Sequence, residues 1–180
     1  MKKLLLLTSV LAWISGVSAE EKPKLIVGVV ISHFYPEWMD MYGNELSENG
    51  LKRVMKQGTR VNVNYNYFYT QTGVDHASIY TGMLPTEHGI VSRAWYDRLR
   101  RKRQYSTQSD RYTEIGDQQA DSIKSLSPDY LQTMSLGSAM KWNNPMSRVF
   151  SVAMNGDEAV LSGGSSADMA IWFSEKTGKW

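Results

Sequence analysis

Residues 25–31 read LIVGVVI, a short apolar run broken only by Gly28 and rich in β-branched side chains. A strand covered on both faces of a parallel sheet has this near-continuous pattern, whereas a half-solvated strand would alternate. The run is therefore the best candidate for a central strand, and the chain on its C-terminal side predicts the rest of an α/β fold. Pro36 suits a first helical turn, Trp38, Met39 and Tyr42 form an apolar stripe, and a second helix is predicted around residues 48–56 with Gly58 at its C-cap. Residues 61–69 (VNVNYNYFY) alternate and predict a half-buried strand, its Val and Tyr side chains packing inward rather than binding an aromatic ligand.

A short helix is predicted through residues 72–79, a loop punctuated by Gly82, Pro85 and Gly89, and a strand near 90–96. The basic run Arg98-Leu99-Arg100-Arg101-Lys102-Arg103 follows, which reads first as a solvated hairpin turn and second as a patch for anionic polymer or lipid headgroups. Residues 111–125 are polar and aperiodic, as in a loop. Ser127-Pro128-Asp129 reads as a helix start extending to about Lys141, with Leu131, Met134 and Ser138 inward. Strand 148–154, a turn at Asn155-Gly156-Asp157, helix 158–161, a flexible Gly163-Gly164-Ser165-Ser166 loop and strand 168–173 complete the order. Such an order implies an α/β protein with a largely parallel sheet flanked by helices, and sites at the C-terminal ends of its strands.

The ends of the chain carry further expectations. Lys2 and Lys3, an apolar run over residues 4–14 and Val17-Ser18-Ala19 have the form of a secretory leader, so residues 1–19 are read as removed and 20–180 as the mature part, exported to the periplasm or secreted. The apolar run is shorter than the roughly 20 residues a bilayer span needs, so stable membrane insertion is not expected. The formal charge of +2 rests on Lys2 and Lys3, since the other Lys and Arg balance the 18 Asp and Glu. A neutral mature chain lacks the basic excess of a nucleic-acid binder. Without Cys, disulfides and thiolate metal sites are excluded. Residues 175–178 read as a turn and Lys179-Trp180 as the opening of a return strand, so the fold is expected to be incomplete at the C-terminus.

Thr72-Gly73-Val74-Asp75-His76 lies between predicted strand and helix. A hydroxyl beside the free N–H groups of a first helical turn favours a phosphate, although Thr72 and Asp75 also fit an ordinary capping box. His33, His76 and His88 do not share a metal-ligand spacing and read as hydrogen-bonding structural residues.

Taken together, residues 22–30 (KPKLIVGVV), 72–82 (TGVDHASIYTG), 85–90 (PTEHGI), Trp95-Tyr96-Asp97, Ser127-Pro128 and 170–180 (AIWFSEKTGKW) resemble, in order, the Thr-nucleophile bacterial alkaline phosphatases of the type I phosphodiesterase/nucleotide pyrophosphatase branch. The resemblance spans the chain from Lys22 onward as an N-terminal portion of that alkaline phosphatase-like fold. It implies a phosphate-ester hydrolase acting on phosphate esters or nucleotides, with two zinc ions, a nucleophilic and metal-contacting Thr at Thr72, and a phosphoryl clamp. The clamp positions fall at Arg93 where the family has Asn, at Asn155 where it has Lys, and at Asp157 where it has Arg; Ser32 stands where it has a zinc-binding Asp. Further zinc ligands would lie beyond Trp180. Ser is a weak zinc ligand beside a carboxylate, and Asp157 repels a phosphoryl group, so zinc binding and turnover are expected to be impaired. The competing expectation is a non-catalytic exported binding protein that keeps the fold.

Overall fold

A computed structural model of the chain describes residues 23–109, 111, 112, 115 and 125–180. The leader read at residues 1–19 and residues 113, 114 and 116–124 of the polar loop lie outside the described residues. The chain divides into two compact units, one up to Asn62 and one over Val63–Trp180.

The first unit carries α1 (Glu37–Tyr42) and α2 (Leu51–Gln57). Trp38 meets Phe34 and Tyr35 edge to face, with ring centroids 5.9 and 5.5 Å apart. Ahead of α2, Glu48 receives Lys52 and Lys56 of the helix, at 2.7 and 2.9 Å. Gly58 closes the helix by donating its N–H to the Val54 carbonyl.

Residues 25–31 correct the first expectation. They form no strand, and most of their apolar side chains are exposed, Leu25 at 78% and Val29 at 74%. Residues 61–69 likewise pair with nothing among the described residues. The physical reason is common to both: β-branched composition lowers the cost of extended backbone, but a strand exists only when a neighbour supplies the ladder of hydrogen bonds. Of the alternating Tyr and Val, Tyr67 alone turns firmly inward, packing on the core and donating its hydroxyl to Asp75 at 2.9 Å.

The second unit is built around α3 (Thr72–Thr81), α4 (Pro85–His88), hairpin β1 (Ala94–Asp97) and β2 (Lys102–Tyr105), α5 (Leu136–Asn143), and the β3 (Phe150–Ala153), α6 (Gly156–Gly163), β4 (Met169–Trp172) segment. β3 and β4 are parallel with α6 as the crossover, so among the described residues the expected parallel sheet is seen as one pair, in register from Phe150↔Met169 to Ala153↔Trp172. β1 and β2 are antiparallel. Beyond β4, Ser174 and Lys179 form an antiparallel bridge across the 175–178 turn.

The core consists of Val74, Ala77, Ile90, Leu131 and Leu161, with Tyr67 and Tyr130 against it. It lies where α3 packs on α6. This close approach depends on small residues: a Cβ on Gly73 would sit 3.3 Å from Leu161 Cδ1, and one on Gly156 would collide with Leu126 Cδ1 and lie 3.4 Å from the Trp172 ring.

The helix predicted to open at Pro128 instead begins at Leu136, with Ser135 as N-cap accepting from the Ser138 N–H. Ser127 accepts from the Asp129 N–H and Leu131 donates to the Pro128 carbonyl, so local turn bonds hold the segment that Pro128 was expected to start as a helix. Leu131 and Ser138 are buried as predicted, but Met134, ahead of the true helix, is 53% exposed. The basic run occupies the β1–β2 turn and the first two residues of β2, and no helix among the described residues is long and apolar enough to cross a membrane.

Candidate functional site

Two helix N-termini converge on one pocket. α3 begins at Thr72 after an extended Gln71, and α6 begins at Gly156 after an extended Asn155, immediately beyond the C-terminal end of β3. Gln71, Thr72, Gly73, Arg93, Ser106, Leu126, Asn155, Gly156 and Asp157 enclose a cavity of about 420 Å³. First-turn N–H groups and the positive ends of both helix dipoles face such a space, which suits an anion.

The side chains around it modify that field. Asp157, in the first turn of α6, holds the Arg93 guanidinium with Nε 3.3 Å from Oδ2, and its other oxygen accepts from Thr107 Oγ1 at 2.5 Å. Thr107 is fixed in turn by the Ser127 N–H bonded to its carbonyl at 2.7 Å. Arg93 is held from behind, its N–H donating to Gln71 Oε1 at 2.7 Å. The arginine side chain remains 69% exposed while Asp157 is 23% exposed, so the carboxylate is the more firmly built member of the pair.

Of the site residues read from the sequence, the pocket brings together Thr72, Arg93, Asn155 and Asp157, whereas Ser32 belongs to the first unit. Thr72 is not the N-cap of α3. That position is Gln71, without a side-chain cap bond, and the capping box expected from Thr72 and Asp75 is not formed. Asp75 is instead taken up by Tyr67. Asn155 is an N-cap: its Oδ1 accepts from the Glu158 N–H at 3.0 Å, leaving its amide NH2 as the group able to meet a ligand. An Asn three residues before a Glu is a capping signal that the turn reading passed over. Gln71 and Thr107 were missed because nothing local distinguishes them; their roles come from partners remote in sequence.

His76 and His88 hold the fold through hydrogen bonds. His76 Nδ1 lies 2.8 Å from Ser162 Oγ. His88 Nδ1 accepts from the Ile90 N–H at 3.1 Å, which leaves Nε2 to donate to Ser78 Oγ at 2.9 Å. Burial lowers both imidazole pKa values below the ordinary 6.5, only partly opposed by Glu158 and Asp75 near His76 and by Glu87 near His88. As pH falls below about 6.5 the unfolded chain therefore binds protons that the folded chain refuses, and stability falls; above that pH the contribution is complete. Thermal melts between pH 7.5 and 5.5 are expected to show a declining Tm, with a shallower slope in His88→Asn.

Among the described residues no group of three or more His, Asp or Glu is arranged around a common point, and the carboxylate lining the pocket, Asp157, is engaged by Arg93 and Thr107.

Residues 26–178 match the family model for type I phosphodiesterase / nucleotide pyrophosphatase, and the chain belongs to that family. Alkaline phosphatase PafA of Elizabethkingia meningoseptica is 32% identical over 168 residues, covering 91% of this chain and 30% of the relative. A Myroides odoratus protein named calcium-transporting ATPase is 31% identical, covering 89% and 29%. The crystal structure of wild-type PafA superposes with a TM-score of 0.81 at 30% identity, over 89% of this chain and 31% of that one. The fold is thus alkaline phosphatase-like α/β, and the chain spans about 30% of the length of these curated relatives.

Proposed function

We propose that this chain descends from phosphate-ester hydrolases but carries a silenced centre, and acts as a non-catalytic exported protein that keeps the fold. The observation that carries the reading is the Arg93–Asp157 ion pair in the pocket beside Thr72. A phosphoryl clamp works by presenting positive charge where negative charge develops. Here the carboxylate neutralises the arginine and adds its own repulsion. By the family resemblance, Ser32 also replaces the Asp that would hold zinc, and a neutral hydroxyl neither attracts the ion nor lowers the cost of a Thr72 alkoxide as a metal carboxylate site does. Export, to the periplasm or beyond, rests on the leader-like residues 1–19.

The full chain incubated with zinc and p-nitrophenyl phosphate is expected to release p-nitrophenol no faster than Thr72→Ala. Zinc-dependent turnover that Thr72→Ala abolishes would overturn the reading. The convergence of two helix N-termini favours a second reading, a hydrolase of phosphate esters or nucleotides that uses Thr72 as nucleophile. The same assay run with bis-p-nitrophenyl phosphate decides it, because a diester monoanion brings one negative charge fewer to Asp157.

A further inference from the structure

The β1–β2 hairpin ends in a cationic apex that does not line the pocket. Five of the chain's 20 Lys and Arg stand between Arg98 and Arg103, although the whole chain carries a formal charge of only +2. The turn is built, not slack. Asp97 Oδ1 accepts from the N–H groups of Leu99 and Arg100 at 2.9 and 3.0 Å, and these bonds hold its carboxyl below the usual range. Arg101 sits at φ 52°, which closes a tight reversal. Arg100 serves the fold, reaching Asp97 and the Tyr130 hydroxyl.

Of the remaining cations, Lys102 stands opposite Asp97 in the register and Arg103 lies over the Tyr105 ring, its guanidinium carbon 5.2 Å from the centroid. Arg98, Arg101, Lys102 and Arg103 are exposed. Register places Tyr96 opposite Arg103, on the face away from Trp95 and the buried Gln104, and Tyr96 is 63% exposed. At the apex Leu99 is 96% exposed. A soluble polyanion would be met by the cations alone and gives no role to an apical leucine. Cations around a protruding Leu and a flanking Tyr match instead the layered chemistry of a bilayer surface, with anionic headgroups above and acyl chains beneath.

We propose that this hairpin docks the protein on an anionic lipid bilayer, with Arg98, Arg101, Lys102 and Arg103 on the headgroups and Leu99 entering the acyl boundary. The contact is peripheral and reversible, and it is independent of whether the pocket turns over an ester.

Sedimentation of the full chain with phosphatidylcholine vesicles containing phosphatidylglycerol tests the proposal. Binding is expected to these vesicles, to be weak on phosphatidylcholine alone, and to decline as salt is raised. The combined variant Arg98→Ser, Arg101→Asn, Lys102→Ser, Arg103→Ser should bind at least ~50-fold more weakly. Arg98→Lys with Arg103→Lys should bind as the parent does, because headgroups are read by charge, and that retention separates lost charge from lost folding. Leu99→Ser should weaken vesicle binding about fivefold while leaving retention on heparin unchanged. Equal binding to both vesicle types overturns the proposal, as does absence of binding. Indifference of vesicle binding to Leu99→Ser, with heparin retention lost in the combined variant, would replace it with a soluble polyanion site.

Discussion

Asp157→Asn is expected to raise the affinity of the pocket for inorganic phosphate by on the order of tenfold, measured by calorimetry on the full chain. Unit charges about 4 Å apart interact by roughly 4 kcal/mol at an effective dielectric of 20, and solvent reaching Arg93 reduces that to about 1–2 kcal/mol. Asn keeps the volume and can still accept from Thr107, so the fold is preserved while the repulsion is removed. The freed guanidinium then joins the two helix N-termini in presenting positive potential to the anion. An unchanged affinity would mean that the carboxylate does not set the charge of the site.

Leu161→Ala is expected to destabilise the second unit by about 2–5 kcal/mol, the usual cost of truncating a buried leucine where neighbours cannot collapse. Leu161 is fully buried among Val74, Ala77, Ile90 and Leu131, and it fills the place against Gly73 where α3 and α6 touch. A urea midpoint displaced with little change in slope is the expected signature. Since Gly73 follows Thr72, the same variant loosens the contact that sets α3 against the pocket. A loss below about 1 kcal/mol would show that the helices are held by something other than this core.

The parts of the fold legible in the sequence are those whose signals are local. A helix is predicted through residues 72–79 with Gly82 in the loop beyond; α3 runs Thr72–Thr81, and Gly82 adopts φ 69° at its C-cap. β3, α6 and β4 were read in order because the turn at residues 155–157 separates two short β-branched or aromatic runs. Residues 25–31 and 61–69 failed for one reason, that strand composition does not provide a strand partner. The misplaced start of α5 has a different cause: Ser127 and Pro128 carry helix-start chemistry, yet their local bonds close turns, and Ser135 caps the helix instead.

For the site, composition and spacing alone offered only Thr72 beside a helix. Arg93, Asn155 and Asp157 came from resemblance to a family, and the pocket does gather them around Thr72. What no sequence reading supplied was the state of those groups. The Arg93–Asp157 pair joins a residue just ahead of β1 to one on α6, and Thr107 and Gln71 brace it from two further segments. Partners that distant are set by tertiary packing.

The cap on α6 has an evolutionary implication. One side-chain oxygen, on Asn155, secures the helix that buries Leu161, and the same residue lines the pocket beside Thr72. A lineage acquiring lysine there would relinquish about 1 kcal/mol of helix anchorage, so on the proposed reading a more cationic pocket and a firmer helix pull one codon in opposite directions. On the proposed reading, a gain of positive charge in the pocket therefore begins more easily at residue 157 than at residue 155.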